Sequence, residues 1–449
     1  MKEQKLSEQA VELAQQAGAA QSDAWLELGR ESSVRVRDGE VEDLTQATSR
    51  GLGLRVVVDG RLGFAYGSDL SPAGLATLAE RAVALARAAA PDPANVLPDK
   101  AELGTRNPTQ AMLDPNVVEL STAWKIEAAK TMERVGRGVD KRIARFESVG
   151  AADYVSRVAF ASSAGVSDTY QASYVVLYSA PVGDDGQGHL QVGNWADQKR
   201  FLEDLATPEE IGRIAAERTV RMLGADKGPT ARMPVIFEPQ IAAGFFGGFL
   251  GALDGNMVLK GATFLRDKLG AAIAPAWLSI EDDGLFPRGL GSSPFDGDGL
   301  ASRRQSLLSA GKLSTFLYDA TTAHKAKAQS SHTASRNYRS LPGIGTTTVV
   351  VRAAQTIPRA ELLAGVKRGL LVTSMLGRGA DPVTGDYSRG ANGLLIEDGQ
   401  LTTPVQEITV AGNLLTMLQA LEAAGDDLEF HGALGSPSLK FSELTVAGS

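Results

Sequence analysis

A chain of 449 residues, 43% hydrophobic and 22% charged, has the composition of a globular protein long enough for two or three domains and a large core. It contains no cysteine, which excludes disulfides, thiolate zinc sites and cysteine nucleophiles together. Its formal net charge of -8 gives a surface field that on average repels nucleic acid, so no nucleic-acid partner is expected.

The opening, MKEQKLSEQAVELAQQAGA, places Leu6, Ala10, Leu13 and Ala14 at helical spacing. No basic segment followed by an apolar stretch is present, so it reads as the start of a domain and not as a signal peptide. Three strands are predicted next, Ala24 to Val36, Ser49 to Val58 and Gly63 to Tyr66, with Asp38-Gly39 and Asp59-Gly60 as hairpin turns between them. A helix from Pro72 to Ala90 follows the cap candidates Asp69 and Ser71. Pro91 to Pro115 holds scattered prolines without a period and reads as a long surface connection.

Leu120 to Val135 is again helical, and Arg142 to Ser179 reads as several strands with a turn at Ser163-Ala164-Gly165 and a polar loop at Gly183 to Gly188. Thr207 to Leu223 opens with TPEE, a cap followed by proline and acids, which marks a helix start. Beyond Ala225 to Thr230 glycine becomes frequent and helices rarer, so a boundary is placed there, giving domains 1–228 and 229–449. The second half carries strands at Pro234 to Phe237, Thr346 to Arg352, Leu370 to Ser374, Gly393 to Ile396, Gln406 to Val410 and Lys440 to Val446. Helices are expected at Ile241 to Leu253, Arg359 to Arg368 and Asn413 to Ala424. This order, without regular βαβ alternation, is that of an α+β protein. The longest apolar run, Ile241 to Leu253, is well short of the roughly 20 residues that span a bilayer, so a cytoplasmic protein without a membrane partner is expected.

A zinc site needs three or four donors converging, usually from a short-range pair plus distant residues. The histidines, His189, His324, His332 and His431, form no HxH, HxxxH or HExxH pair, so no metal is expected in this chain. Ser330, Ser331 and His332 are adjacent, but no GxSxG elbow accompanies them, and they read as a polar loop. No catalytic residue is assigned.

Two glycine-rich segments stand out. In GFFGGFLGALDG, Gly244, Gly248 and Ala252 recur every four residues, as do Gly247, Gly251 and Gly255, leaving two stripes of a helix almost bare. Phe245, Phe246, Phe249, Leu250 and Leu253 supply apolar mass that offsets the ~1 kcal/mol each glycine costs a helix. A tightly packed core helix is expected, with a smooth channel wall or a subunit contact as the functional alternative. In TGDYSRG, Asp386, Tyr387, Ser388 and Arg389 set a carboxylate, a phenol, a hydroxyl and a guanidinium between two glycines. This reads as a turn, pinned by an Asp386–Arg389 ion pair or offering its groups to a bound peptide or partner. Were it a strand, Tyr387 and Arg389 would share one face.

The stretch GRGADPVTGDYSRGANGLLIEDGQLTTPVQEITVAGN, Gly377 to Asn413, resembles the C-terminal half of the TldD/TldE (PmbA, "modulator of DNA gyrase") peptidase family. GLGLRVVVDGRLGFAYGSDL, Gly51 to Leu70, fits the family's first domain, and the likeness runs over nearly the whole chain. Gly247, Gly248, Phe249, Leu250, Gly251 and Ala252 stand where the TldD branch carries HExxxH, so the chain resembles the TldE (PmbA) branch, which lacks the zinc site. Its end, GDDLEFHGALGSPSLK, also lacks the cysteine that the TldD branch uses as a ligand. SSPFD, Ser292 to Asp296, is similar to the TldE-branch STPFD stretch; Asp296 and Asp298 suit a turn or a hard cation.

The resemblance implies an N-terminal mixed helix/antiparallel-sheet domain and a C-terminal β-rich, barrel-like domain. It further implies a subunit without zinc in a heterodimer with a TldD-like zinc peptidase that trims unstructured peptides such as leader sequences and antitoxins. The partner would then hold the zinc, and a homodimer could form in its absence. The alternatives are a homo-oligomeric peptide-binding or scaffold protein, and an independent hydrolase with an unrecognised site.

Overall fold

The structure, a computed structural model, describes residues 2–104, 111–377 and 379–448. The part of the long connection at 105–110, and Arg378 within the glycine-rich stretch, lie outside the described residues.

The N-terminal half is built on one antiparallel sheet whose long strands are Gln21–Arg37, Glu40–Val58, Ile143–Ser162 and Val166–Asp184. Asp38-Gly39 and Asp59-Gly60 make the tight hairpins, with φ of 52° and 75° in the first and 48° and 71° in the second. Two successive left-handed residues match the right-handed twist of the strands they join. The strand Glu40–Val58 is longer than expected because its first half is exposed and carries no apolar alternation to announce it. One side of the sheet is covered by helices Lys2–Gln16 and Pro72–Ala88, packed through Ala10, Ala14, Leu75 and Ala82. Helices Thr122–Val139 and Pro208–Val220 pack together beside the far end of the same sheet, the second fixed by a capping box between Thr207 and Glu210.

The C-terminal half contains a closed five-stranded barrel. Strands Ala231–Phe237, Arg368–Leu376, Asp386–Glu397, Gln400–Asn413 and Leu439–Gly448 pair in that order, and the last returns to the first. Closure leaves these strands few free edges. The interior holds Phe237, Val372, Tyr387, Val410 and Phe441, and Phe245 from helix Pro239–Gly251 meets this aromatic cluster. A second, six-stranded sheet lies beside the barrel. The α+β class and the barrel-like C-terminal domain are therefore what the sequence led us to expect.

Two expected helices are shorter than read. Arg359–Ala364 stops before the barrel strand at Arg368, and Leu414–Gln419 gives way to strand Leu421–Ala424. Barrel and sheet pairing override helix propensity at both places.

The two halves meet through buried charge. Arg55 of the N-terminal sheet donates to Asp23 through Nε at 2.9 Å and reaches Asp298 at 2.9 Å, while Arg336 donates to Asp23 at 2.9 Å. Phe295 packs edge-on against Trp25, with ring centroids 5.8 Å apart. Asp296 accepts the Asp298 and Leu300 amides at 2.9 Å, so the segment is a turn as expected. The Asp298 carboxylate faces a guanidinium where a hard cation was the other reading.

Candidate functional site

Helix Pro239–Gly251 follows strand Ala231–Phe237 directly, with Pro239 in its first turn, where a missing amide hydrogen costs nothing. It buries Ile241, Ala242, Phe245, Phe246 and Phe249. The rings of Phe237, Tyr387 and Phe441 lie 6.1, 5.9 and 5.5 Å from that of Phe245. Gly244, Gly247 and Gly251 occupy the opposite face and are exposed.

This corrects the expectation of close packing along both glycine stripes. Among the described residues a β-carbon on Gly247 or Gly251 would meet nothing within 4 Å, and one on Gly248 would touch only Ala380, at 3.5 Å. Ala252 lies just past the helix end and is fully buried, so it does not continue the face of Gly244 and Gly248. Gly255 belongs to the next short helix and is the tightly packed one, pressed against the Tyr318 ring. The phenylalanines fill the core; the glycines leave one helical face as bare backbone.

TGDYSRG is not a turn but the start of barrel strand Asp386–Glu397, entered through Gly385 at φ 80°. Strand alternation turns Tyr387 inward and exposes Asp386 and Ser388. Burial pushes the Tyr387 phenol up to about 12, and its hydroxyl donates to Met375 Sδ at 2.8 Å. The Asp386–Arg389 ion pair does not form, because positions three apart on a strand face opposite ways. Asp386 accepts from Asn413 Nδ2 at 3.4 Å, and Arg389 donates to the Gly377 carbonyl at 3.3 Å.

Arg389 shares its side of the strand with Tyr387 and reaches the glycine helix, where its Nη1 lies 3.7 Å from the β-carbon position of Gly244. There it lines a cleft of about 270 Å³ with Arg218, Arg221, Gln240, Thr373 and Asn392. Beneath the cleft the buried Glu238 carboxylate accepts Arg218 at 2.8 Å, Arg221 at 3.0 Å and Arg359 at 3.0 Å. Burial alone would raise this carboxyl, and the three guanidinium charges outweigh it, so its pKa lies below the ordinary glutamate value. Arg218 also donates to the Thr373 carbonyl at 2.8 Å and stacks over Trp195, tying helix Pro208–Val220 to the barrel. These arginines escaped the sequence reading. Their only signal was the three-residue spacing of Arg218 and Arg221 on one helical face; nothing local marks Glu238 as their counter-ion.

The four histidines do not converge on one site. His189 pairs with Asp185 at 2.9 Å on an exposed loop, and His431 stacks edge-on against Trp195. His324 and His332 line a separate cavity, where His332 Nδ1 donates to the Ala301 carbonyl at 2.8 Å. Ser330 and Ser331 donate their hydroxyls to the Tyr318 and Phe316 carbonyls, and neither hydroxyl bonds to the His332 ring. Among the described residues no group of three or more His, Cys, Asp or Glu side chains is placed to hold a metal ion. At Gly247, Gly248, Gly251 and Ala252 there are only hydrogens and a methyl, which offer zinc no donor.

Models of the PmbA/TldA metallopeptidase family match three stretches, domain 1 at residues 26–86, the central domain at 115–223 and the C-terminal domain at 230–448. Metalloprotease PmbA of Escherichia coli O157:H7 is 32% identical over 451 aligned residues, covering 99% of this chain and 97% of the relative. The Metalloprotease PmbA homolog of Haemophilus influenzae is 29% identical over 98% of this chain and 95% of its own. The crystal structure of TldE from Thermococcus kodakarensis has the same fold, with a TM-score of 0.90 at 22% identity over 99% of this chain and 100% of that one. With sequence relatives along its whole length and the barrel and mixed sheet in place, the chain belongs to the PmbA/TldD metallopeptidase family.

Proposed function

We propose that this chain is the subunit without metal of a TldD/TldE-type heterodimeric zinc peptidase, acting in the cytoplasm on unstructured peptides such as leader sequences and antitoxins. The observation that carries the reading is the bare face of helix Pro239–Gly251. Gly244, Gly247 and Gly251 present backbone alone, with Gly244 in the wall of the cleft, and the resemblance puts the ligands of the zinc-binding branch on this same helix. A helix without side chains on one face admits another backbone, either that of an extended peptide or that of a partner subunit.

On this reading domains 1–228 and 229–449 form one wall of a peptide channel. Arg389 contacts the substrate from the cleft, and Asp386 and Ser388 face outward on the same strand. Tyr387 serves the barrel core. The partner supplies zinc and the activated water, and no step of the cleavage is assigned to residues of this chain.

The test is reconstitution. Alone, the chain should bind no stoichiometric zinc and cleave no peptide. Mixed with a TldD-like chain bearing an intact HExxxH, it should form a heterodimer that cleaves unstructured peptides and that chelator silences. Chelator-insensitive cleavage by the isolated chain, co-eluting with it through two orthogonal columns, would favour an independent hydrolase and overturn the proposal.

A further inference from the structure

The cleft at the glycine helix is lined by three guanidinium groups, those of Arg218, Arg221 and Arg389, and among the described residues by no carboxylate. This is notable in a chain whose formal net charge is -8. Arg218 and Arg221 are held by Glu238. Arg389 is different: among the described residues no carboxylate lies within ion-pair distance of it, and its Nε is buried without a hydrogen-bond partner. Arg221 Nε is likewise buried and unpartnered. Gln240 and Asn392 add side-chain amides at the rim. The missing side chain at Gly244 leaves the Arg389 guanidinium room to lie on the helix.

A half-buried guanidinium without a counter-ion, set among further donors, is suited to an anion that two of its N–H groups can grip together. We infer that this cleft binds a carboxylate of the substrate peptide, with Arg389 as its principal partner. The inference rests on the peptide-channel reading above and names what that channel recognises. The carboxylate can come from the peptide's C-terminus or from an acidic side chain, and both present the same planar pair of oxygens.

The isolated full-length chain is titrated, with fluorescence anisotropy as the readout, against three rhodamine-labelled peptides with otherwise uncharged side chains. One has a free C-terminal carboxylate, one a C-terminal amide, and one a C-terminal amide with an internal glutamate. We expect at least tenfold tighter binding of the first or third peptide than of the plain amide; which of the two binds tighter identifies the source. Arg389→Gln should abolish that preference with an unchanged melting temperature. Gly244→Leu, which pushes the same guanidinium away, should also reduce the preference, and it serves if Arg389→Gln fails to fold. Equal binding of all three peptides, no binding of any, or a preference that survives both substitutions would overturn the inference. Because neither metal nor a partner chain is needed, failure of heterodimer assembly leaves this result readable. A heterodimer that assembles and cleaves without a carboxylate preference sinks only the present inference.

Discussion

The Arg389 guanidinium lies 3.7 Å from the point where a β-carbon on Gly244 would sit, an ordinary van der Waals distance. Alanine therefore fits at position 244, and a longer side chain does not fit without moving Arg389. Gly244→Ala should keep the fold and gain about 0.5–1 kcal/mol of stability from helix propensity. Gly244→Leu should lower peptide cleavage by the reconstituted heterodimer more than it lowers the melting temperature. Calorimetry and a cleavage assay on both variants check this; equal cleavage by the two would show that Arg389 has no part in substrate handling.

The open faces of Gly247 and Gly251 separate folding from function. Among the described residues nothing lies within 4 Å of a β-carbon at either position, so alanine at each should stabilise the isolated chain by about 0.5–1 kcal/mol. If the bare face receives a partner or a peptide backbone, the double alanine variant should be more stable alone and yet assemble or cleave less well. Unimpaired assembly and cleavage would mean that the glycines serve neither contact.

Glu238 is the hub on which helix Pro208–Val220 and the barrel are fastened. Glu238→Gln leaves Arg218, Arg221 and Arg359 facing one another without their shared counter-ion, and a loss of roughly 3–5 kcal/mol is expected for breaking a buried pair. Because the Glu238 pKa is lowered in the folded state, its stabilisation is present above the unfolded value of about 4.5 and fades as pH falls through the folded one. Denaturant unfolding should therefore show the wild type converging on the variant in acid. A constant gap down to the lowest pH at which the protein folds would contradict this assignment.

Asp282 behaves in the opposite sense. It is fully buried, its Oδ2 has no hydrogen-bond partner among the described residues, and burial pushes its carboxyl up to about 6 from 3.8. The folded state then holds the proton more tightly than the unfolded chain, so stability is lost as pH rises from about 4 through about 6, by on the order of 3 kcal/mol. Asp282→Asn can still accept from the Thr347 amide and should remove most of that loss, making the variant more stable than wild type at neutral pH. A variant less stable than wild type at pH 8 would show that the ionised carboxylate is needed.

Local chemistry was legible in the sequence. The hairpins at Asp38-Gly39 and Asp59-Gly60, the cap at Thr207 and the apolar mass of the phenylalanines each depend on residues a few positions apart, as turns, caps and helix faces do. The order of predicted elements carried the α+β class and resemblance the barrel, and glycine and alanine offer no metal donor on the glycine helix. What the tertiary structure decided was direction and partnership. Whether a glycine stripe faces a core or open space depends on which side of the helix the barrel occupies, and helical spacing is the same in both cases. TGDYSRG became a strand because closing the barrel pairs it with strands Arg368–Leu376 and Gln400–Asn413. Among the described residues Arg389 was left without a carboxylate, and Glu238 was given Arg218 and Arg221 from about twenty residues before it and Arg359 from more than a hundred residues after it; charge pairing over such separations is set by packing, which no local pattern records.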